Sequence, residues 1–136
     1  MSATPQGRLD ISSEGDVVSA RQAAREAALA LGFGMTDVTR IVTAVSELAR
    51  NVFMYAGQGE MRWSTIASSS QVGLELVFAD QGPGIANTAQ ALTPGYTTSG
   101  GLGMGLPGAK RLMDDLEIKS TLGQGTVVTT RKWRER

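Results

Sequence analysis

Apolar positions in this chain recur at helical spacing in its first third and at every second residue in several later stretches. Val17, Ala20, Ala24, Ala27, Ala28 and Leu31 predict a helix over residues 17–31, with Asp16 as its cap and Gly32 and Gly34 as its stop. Thr36 is the expected N-cap of a longer helix reaching about Tyr55. There Val38, Ile41, Val42, Val45, Leu48, Ala49 and Val52 follow the i, i+3, i+4, i+7 pattern until Gly57 and Gly59. Strands are predicted at residues 8–12, 60–68 and 72–79, the last two joined by a Ser-Ser-Gln turn. A short helix is expected at 85–92 and another at 104–116, with Pro107 acceptable in its first turn. Strands at 117–121 and 126–133 close the chain around a Leu122–Gly125 turn.

The resulting order, β-α-α-β-β-insert-α-β-β, groups strands as hairpins and does not alternate them singly with helices. It predicts an α/β two-layer sandwich, a mostly antiparallel mixed sheet with helices on one face. No internal repeat or long linker divides it, so one domain over 1–136 is expected, with residues 1–7 as a loose start.

Composition removes whole classes of chemistry. The 136 residues contain neither cysteine nor histidine, which excludes thiol and imidazole nucleophiles, thiolate or imidazole metal sites and a phosphohistidine intermediate. Any divalent cation must be a hard one held by oxygen, such as Mg²⁺. Thirteen basic residues balance thirteen acidic ones, so no general charge argument favours nucleic acid or a membrane. Arg131, Lys132, Arg134 and Arg136 form the basic cluster of the chain and read as a solvated tail. The N-terminus lacks the apolar segment of a signal peptide, and no apolar run is long enough for a membrane span. A cytoplasmic protein is expected.

Glycine is concentrated where chemistry is expected. Eight of the 17 glycines fall between Gly82 and Gly108, and such density marks sharp turns or close backbone approach to a ligand. Asp80-Gln81-Gly82-Pro83-Gly84 ends an apolar strand. Its carboxylate can accept a hydrogen bond from an amino group such as that of adenine, although an ordinary strand-to-loop turn explains the motif equally well. Gly101 to Gly108 opens a helix, a setting suited to phosphate oxygens. Gly103 to Gly108 formally matches G-x-G-x-x-G. No apolar strand precedes it, however, and too few residues come after it for a dinucleotide-binding half. Glu47 and Asn51 lie one turn apart on the long helix, roughly opposite its apolar stripe. They read either as a solvated face or as a general base and a cation-binding amide beneath a second surface. Gly123-Gln124-Gly125-Thr126 reads as a tight turn whose threonine hydroxyl can reach the neighbourhood of Asp80.

Taken in order, Glu-x-x-x-Asn on a helix, Asp-x-Gly-x-Gly at a strand end, Gly-x-Gly-x-Gly into a helix and Gly-Thr before a strand resemble the GHKL superfamily with its Bergerat fold. The resemblance covers roughly residues 8–133. Ser46–Asn51, Tyr55-Ala56-Gly57 and the run from Thr98 to Asp114 carry a closer likeness to anti-sigma-factor serine/threonine kinases, most of all the RsbT-type switch kinases of the stressosome. That resemblance implies an Mg·ATP-dependent kinase. Glu47 would be the catalytic base and Asn51 the Mg²⁺ ligand. Asp80, Gly82, Gly84 and Thr126 would hold adenine. Residues 87–105 would form an ATP lid, with Ser99, Gly100, Gly101, Gly103, Met104 and Gly105 at the nucleotide. Its implied substrate is a serine on a STAS-domain antagonist. STAS scaffold proteins and a PP2C-type phosphatase are further implied partners. An anti-sigma factor that sequesters a sigma factor, or a nucleotide-responsive module that activates a phosphatase with little kinase activity, remain alternative readings.

Overall fold

In the computed structural model, residues 6–84 and 105–135 are described. Strand β1 (Gln6–Ile11) leads into α1 (Glu14–Ala30) and α2 (Met35–Asn51), and a π-helical turn (Val52–Ala56) extends α2. Then come β2 (Gly59–Ala67), β3 (Gln71–Asp80), α3 (Gly105–Leu112), β4 (Asp115–Thr121) and β5 (Gly125–Glu135). The five strands form one sheet in the order β1-β2-β3-β5-β4, and every adjacent pair is antiparallel. The expected two-layer α/β architecture is therefore present, without a parallel pair among the described strands.

The helices cover one face of the sheet. Leu74, Leu76 and Phe78 of β3, Met61 of β2 and Val128 of β5 are buried there against Ile41, Val45 and Leu48 of α2. On α1 the buried positions are Val17 and four alanines, whose small side chains let the α1 backbone come close to α2. Among the described residues no helix is long and apolar enough to cross a membrane.

Local chemistry moved several expected boundaries. Ser13, not Asp16, caps α1: its hydroxyl accepts from the Asp16 N–H at 3.2 Å, and the Asp16 carboxylate accepts from the Ser12 N–H at 2.9 Å. This is a variant of the capping box, with aspartate reaching back to the N–H of the residue before the cap. Gly34 precedes α2 and supplies no side-chain cap, so Thr36 lies inside the first turn. Helix α3 stops at Leu112, short of the expected 116, because the sheet captures the next residues. The Asp114 N–H bonds to Arg131 O at 3.0 Å, and Leu116 already pairs with Thr130. The helix expected at 85–92 lies outside the described residues.

The expected solvated tail is overturned. Residues 131–135 belong to β5, while Arg136 lies outside the described residues. Arg131 bridges Glu75 at 2.8 Å and Asp115 at 3.0 Å. Lys132 is 7% exposed, and the Arg134 guanidinium donates to Leu31 O at the end of α1. Alternation along β5 sends Lys132 and Arg134 to the helix-covered face, where each meets the carbonyl end of a helix.

Candidate active site

Strand register builds the first part of the site. Asp80 is the last residue of β3, paired with Gly59 of β2 on one side and Thr126 of β5 on the other. Its carboxylate accepts the Gly82 N–H at 2.9 Å, which folds the chain back at the strand end. Burial pushes the Asp80 carboxyl above the ordinary aspartate range, while the backbone N–H groups of Gly82 and Thr126 oppose that rise. A partly desolvated carboxylate at a strand end is costly to the fold and makes Asp80 a candidate functional position.

The loop after Asp80 is locked onto the β4–β5 hairpin. The Gly123 N–H donates to Pro83 O at 2.6 Å. Gly84 has φ +76°, and a Cβ there would strike Thr121 O and come within 3.1 Å of Leu122 Cα. Gly125 has φ +114°, and a Cβ on it would collide with the Asp80 carbonyl oxygen and lie 2.8 Å from Gln81 Cα. Thr126 holds its hydroxyl 2.9 Å from the Ser120 hydroxyl, so that group is tied to its cross-strand neighbour. Gly125 belongs to the Gly-Thr motif that the sequence offered, with Thr126 as its site residue, while Ser120 was not singled out in the sequence. Ser120 gave no signal there, because its role arises only from the β4–β5 register.

The second part lies along α2, and the π-helical turn joins it to the first. A Cβ on Gly82 would sit 2.6 Å from Ala56 Cβ. A Cβ on Gly59 would lie 2.6 Å from Val52 Cγ1 and 3.1 Å from Asp80 Cβ. Val52 and Asp80 thus flank the same glycine, so the π-helical turn that follows Asn51 packs against the strand end that carries Asp80. A π turn placed here is typical of functional sites, since one widened turn re-aims the residues around it.

Asn51 does not lie on a plain solvated face. Its Nδ2 is buried and finds no hydrogen-bond partner among the described residues. Such an orphan is costly unless something external satisfies it, and the two ends of an amide exchange by a simple flip. The group therefore suits a polar ligand or, through its oxygen, a hard cation. Glu47, one turn earlier, is partly exposed and faces Arg50 Nη1 at 3.9 Å, a loose pairing that leaves its carboxylate available. Among the described residues no cluster of three acidic side chains gathers to hold a metal. One amide oxygen completed by ligand phosphates fits the donors present.

A cleft of about 760 Å³ opens at this end of the sheet. Its walls include Ala56, Gly59, Asp80 and Gln81 together with Arg8 and Glu60 of the β1–β2 edge, but neither Glu47 nor Asn51. On the other side of α2, helix α3 packs through Leu106 and Ala109. Gly105 begins α3, while Ser99, Gly100, Gly101, Gly103, Met104 and the rest of the expected lid lie outside the described residues.

A family model for the histidine kinase-like ATPase domain matches residues 12–132. The chain belongs to that family. The GHKL resemblance carried by its motifs is thereby established, and nucleotide is the ligand such an ATPase domain takes. Over 128 residues the chain is 47% identical to the serine/threonine-protein kinase RsbT of Bacillus subtilis (strain 168), covering 94% of this chain and 96% of that one. It is 32% identical to the anti-sigma F factor of Caldanaerobacter subterraneus, covering 71% of each. Among solved structures, the sensor histidine kinase MprB of mycobacteria superposes with a TM-score of 0.57 at 16% identity, covering 96% of this chain and 98% of that one. The RsbU and RsbW domains of a Mycobacterium tuberculosis protein give 0.58 at 18% identity, over 94% of this chain and 33% of that longer one. At those identities the structures establish the fold alone.

Proposed function

We propose that this chain is a Mg·ATP-dependent protein serine/threonine kinase acting in a partner-switching pathway that controls stress responses or a sigma factor. Its substrate on this reading is a serine of a STAS-domain antagonist. STAS scaffold proteins and a PP2C-type phosphatase are the further partners, with neither nucleic acid nor membrane required and a cytoplasmic setting. The observation that supports the proposal most is the buried Asn51 amide nitrogen without a hydrogen-bond partner among the described residues, on the helix whose π-helical extension packs against the Asp80 strand end.

Each part then has a task. Asp80 accepts a hydrogen bond from the exocyclic amino group of adenine, with Gly82 and Gly84 allowing the base to lie against the backbone and the Thr126 hydroxyl supporting that edge. Asn51 would hold Mg²⁺, which when bound offsets charge between the phosphates. Glu47 accepts the proton of the serine hydroxyl as its oxygen bonds to the γ-phosphorus and the bond to the bridging oxygen breaks, releasing ADP. Positioning and charge stabilisation supply most of the acceleration. Residues 87–105 close over the nucleotide as a lid, within a single domain spanning 1–136.

The 32% identity to an anti-sigma factor favours one second reading, in which sequestration of a sigma factor is the main task. The deciding experiment incubates the protein with [γ-³²P]ATP, a STAS-domain antagonist and, separately, a sigma factor. Label on an antagonist serine supports the kinase reading. A stable sigma-factor complex without label on the antagonist overturns it in favour of sequestration.

A further inference from the structure

Lys132 is a buried cation on a strand, and the kinase chemistry assigns it no task. Its ammonium donates to Leu112 O, the last residue of α3, at 3.0 Å. The same nitrogen lies 3.6 Å from Asp114 Oδ1, just beyond α3, and 3.8 Å from Asp37 Oδ1 in the first turn of α2. Asp114 is itself held, since its other oxygen accepts the Trp133 N–H at 2.6 Å. Asp37 also pairs with Arg40 at 3.1 Å. One side chain therefore ties three elements: the sheet through β5, the carbonyl end of α3, and the start of α2.

Stability alone does not account for such a cluster. Removing a charge from water is costly, and an apolar residue of similar size often serves a fold as well or better. What the cluster adds is direction. Leu106, Ala109 and Met113 hold α3 in the core through apolar contacts, which fix distance but leave tilt and sliding soft. An eight-residue helix is only about 12 Å long, so its orientation at Leu112 sets the position of Gly105 and Gly108 at its other end. An added Cβ on Gly108 would meet nothing within 4 Å among the described residues.

We propose that Lys132 is a positioning residue that fixes α3 against α2 and thereby sets the separation between the glycine end of α3 and Glu47 and Asn51. This rests on the kinase reading, in which the α3 end faces the ATP phosphates and the Asp80 corner holds the base. The two are independent supports, so Lys132 acts on phosphate binding and transfer while leaving recognition of the base alone.

The test uses the full chain with Lys132→Met and the milder Asp114→Asn, titrated calorimetrically with ATP, ADP and AMP in Mg²⁺, below the melting temperature of each variant. Lys132→Met weakens ATP binding about tenfold relative to AMP, and antagonist phosphorylation falls further at saturating ATP. Asp114→Asn shows the same selective loss at smaller size and decides the matter if Lys132→Met does not fold. Equal weakening of all three nucleotides, or no change in any, overturns the positioning role. Wild-type protein that binds AMP but gains nothing from the added phosphates fails the kinase reading itself, a result distinguishable from failure of the variants.

Discussion

The Asp80 corner and the C-terminal end of α2, both assigned to the site on the kinase reading, are built in opposite ways. At the corner the protein satisfies itself. Asp80 accepts a backbone N–H, Pro83 accepts one from Gly123, and Gly84 and Gly125 have positive φ where a Cβ would strike neighbouring backbone. Along α2 the groups wait for something else: Asn51 has an orphaned buried nitrogen and Glu47 a pairing stretched to 3.9 Å. A planar base needs a preformed wall, because a loose one would lose affinity to ordering. Transfer to a protein serine needs groups that change partners during the reaction, and groups already satisfied by the fold cannot do so.

This contrast predicts which function each substitution removes. The largest effect is expected at Glu47, where Glu47→Gln should lower phosphotransfer about 1,000-fold while ATP affinity stays within about threefold; quenched-flow or radiolabel assays with calorimetry check both. Gly125→Ala should damage the fold itself by about 3 kcal/mol or more, because strain at positive φ adds to collision with the Asp80 carbonyl. A denaturant midpoint equal to wild type would show that the corner is softer than its contacts imply. The smallest of these changes falls at a place remote from both regions. Ser13→Ala should cost about 1 kcal/mol by removing the α1 cap, with no change in nucleotide affinity.

Asp80 adds a pH signature. Its folded carboxyl titrates above the unfolded value, so between those two pKa values the folded state binds more protons and stability falls as pH rises. The ionised form is the one that accepts from adenine. Nucleotide binding should therefore weaken as pH falls through the raised value, in the same window where the apo protein gains stability. Asp80→Asn should remove both trends, and thermal melts with calorimetry across that range would check them.

Much of this was legible in the sequence for identifiable reasons. Helix α2 has a full apolar stripe from Val38 to Val52, and its register with Glu47 and Asn51 comes from 3.6-residue periodicity alone. Asp80 ends an apolar strand and is followed by two glycines, which marked its place at a strand end. Short-range competition was harder to read. Ser13 and Asp16 each qualify as a cap, and only the hydrogen-bond geometry separates their roles. Leu116 fits a helical stripe but pairs with Thr130 because the sheet offers it a partner. The basic tail misled because alternation, not local charge, decides where Lys132 and Arg134 point. The π-helical turn had no sequence signature at all, since Val52–Ala56 continues an ordinary helical pattern.

Recognition of the base and transfer of the phosphoryl group are, on this view, held by separable structures. The most direct measurement is ATP affinity by calorimetry for Asp80→Asn and Glu47→Gln, side by side with wild type. Affinity should fall about 100-fold or more for Asp80→Asn, as expected for a charged hydrogen bond lost from a desolvated corner, and stay near wild type for Glu47→Gln. Comparable losses in both variants, or unchanged affinity in Asp80→Asn, would contradict that separation.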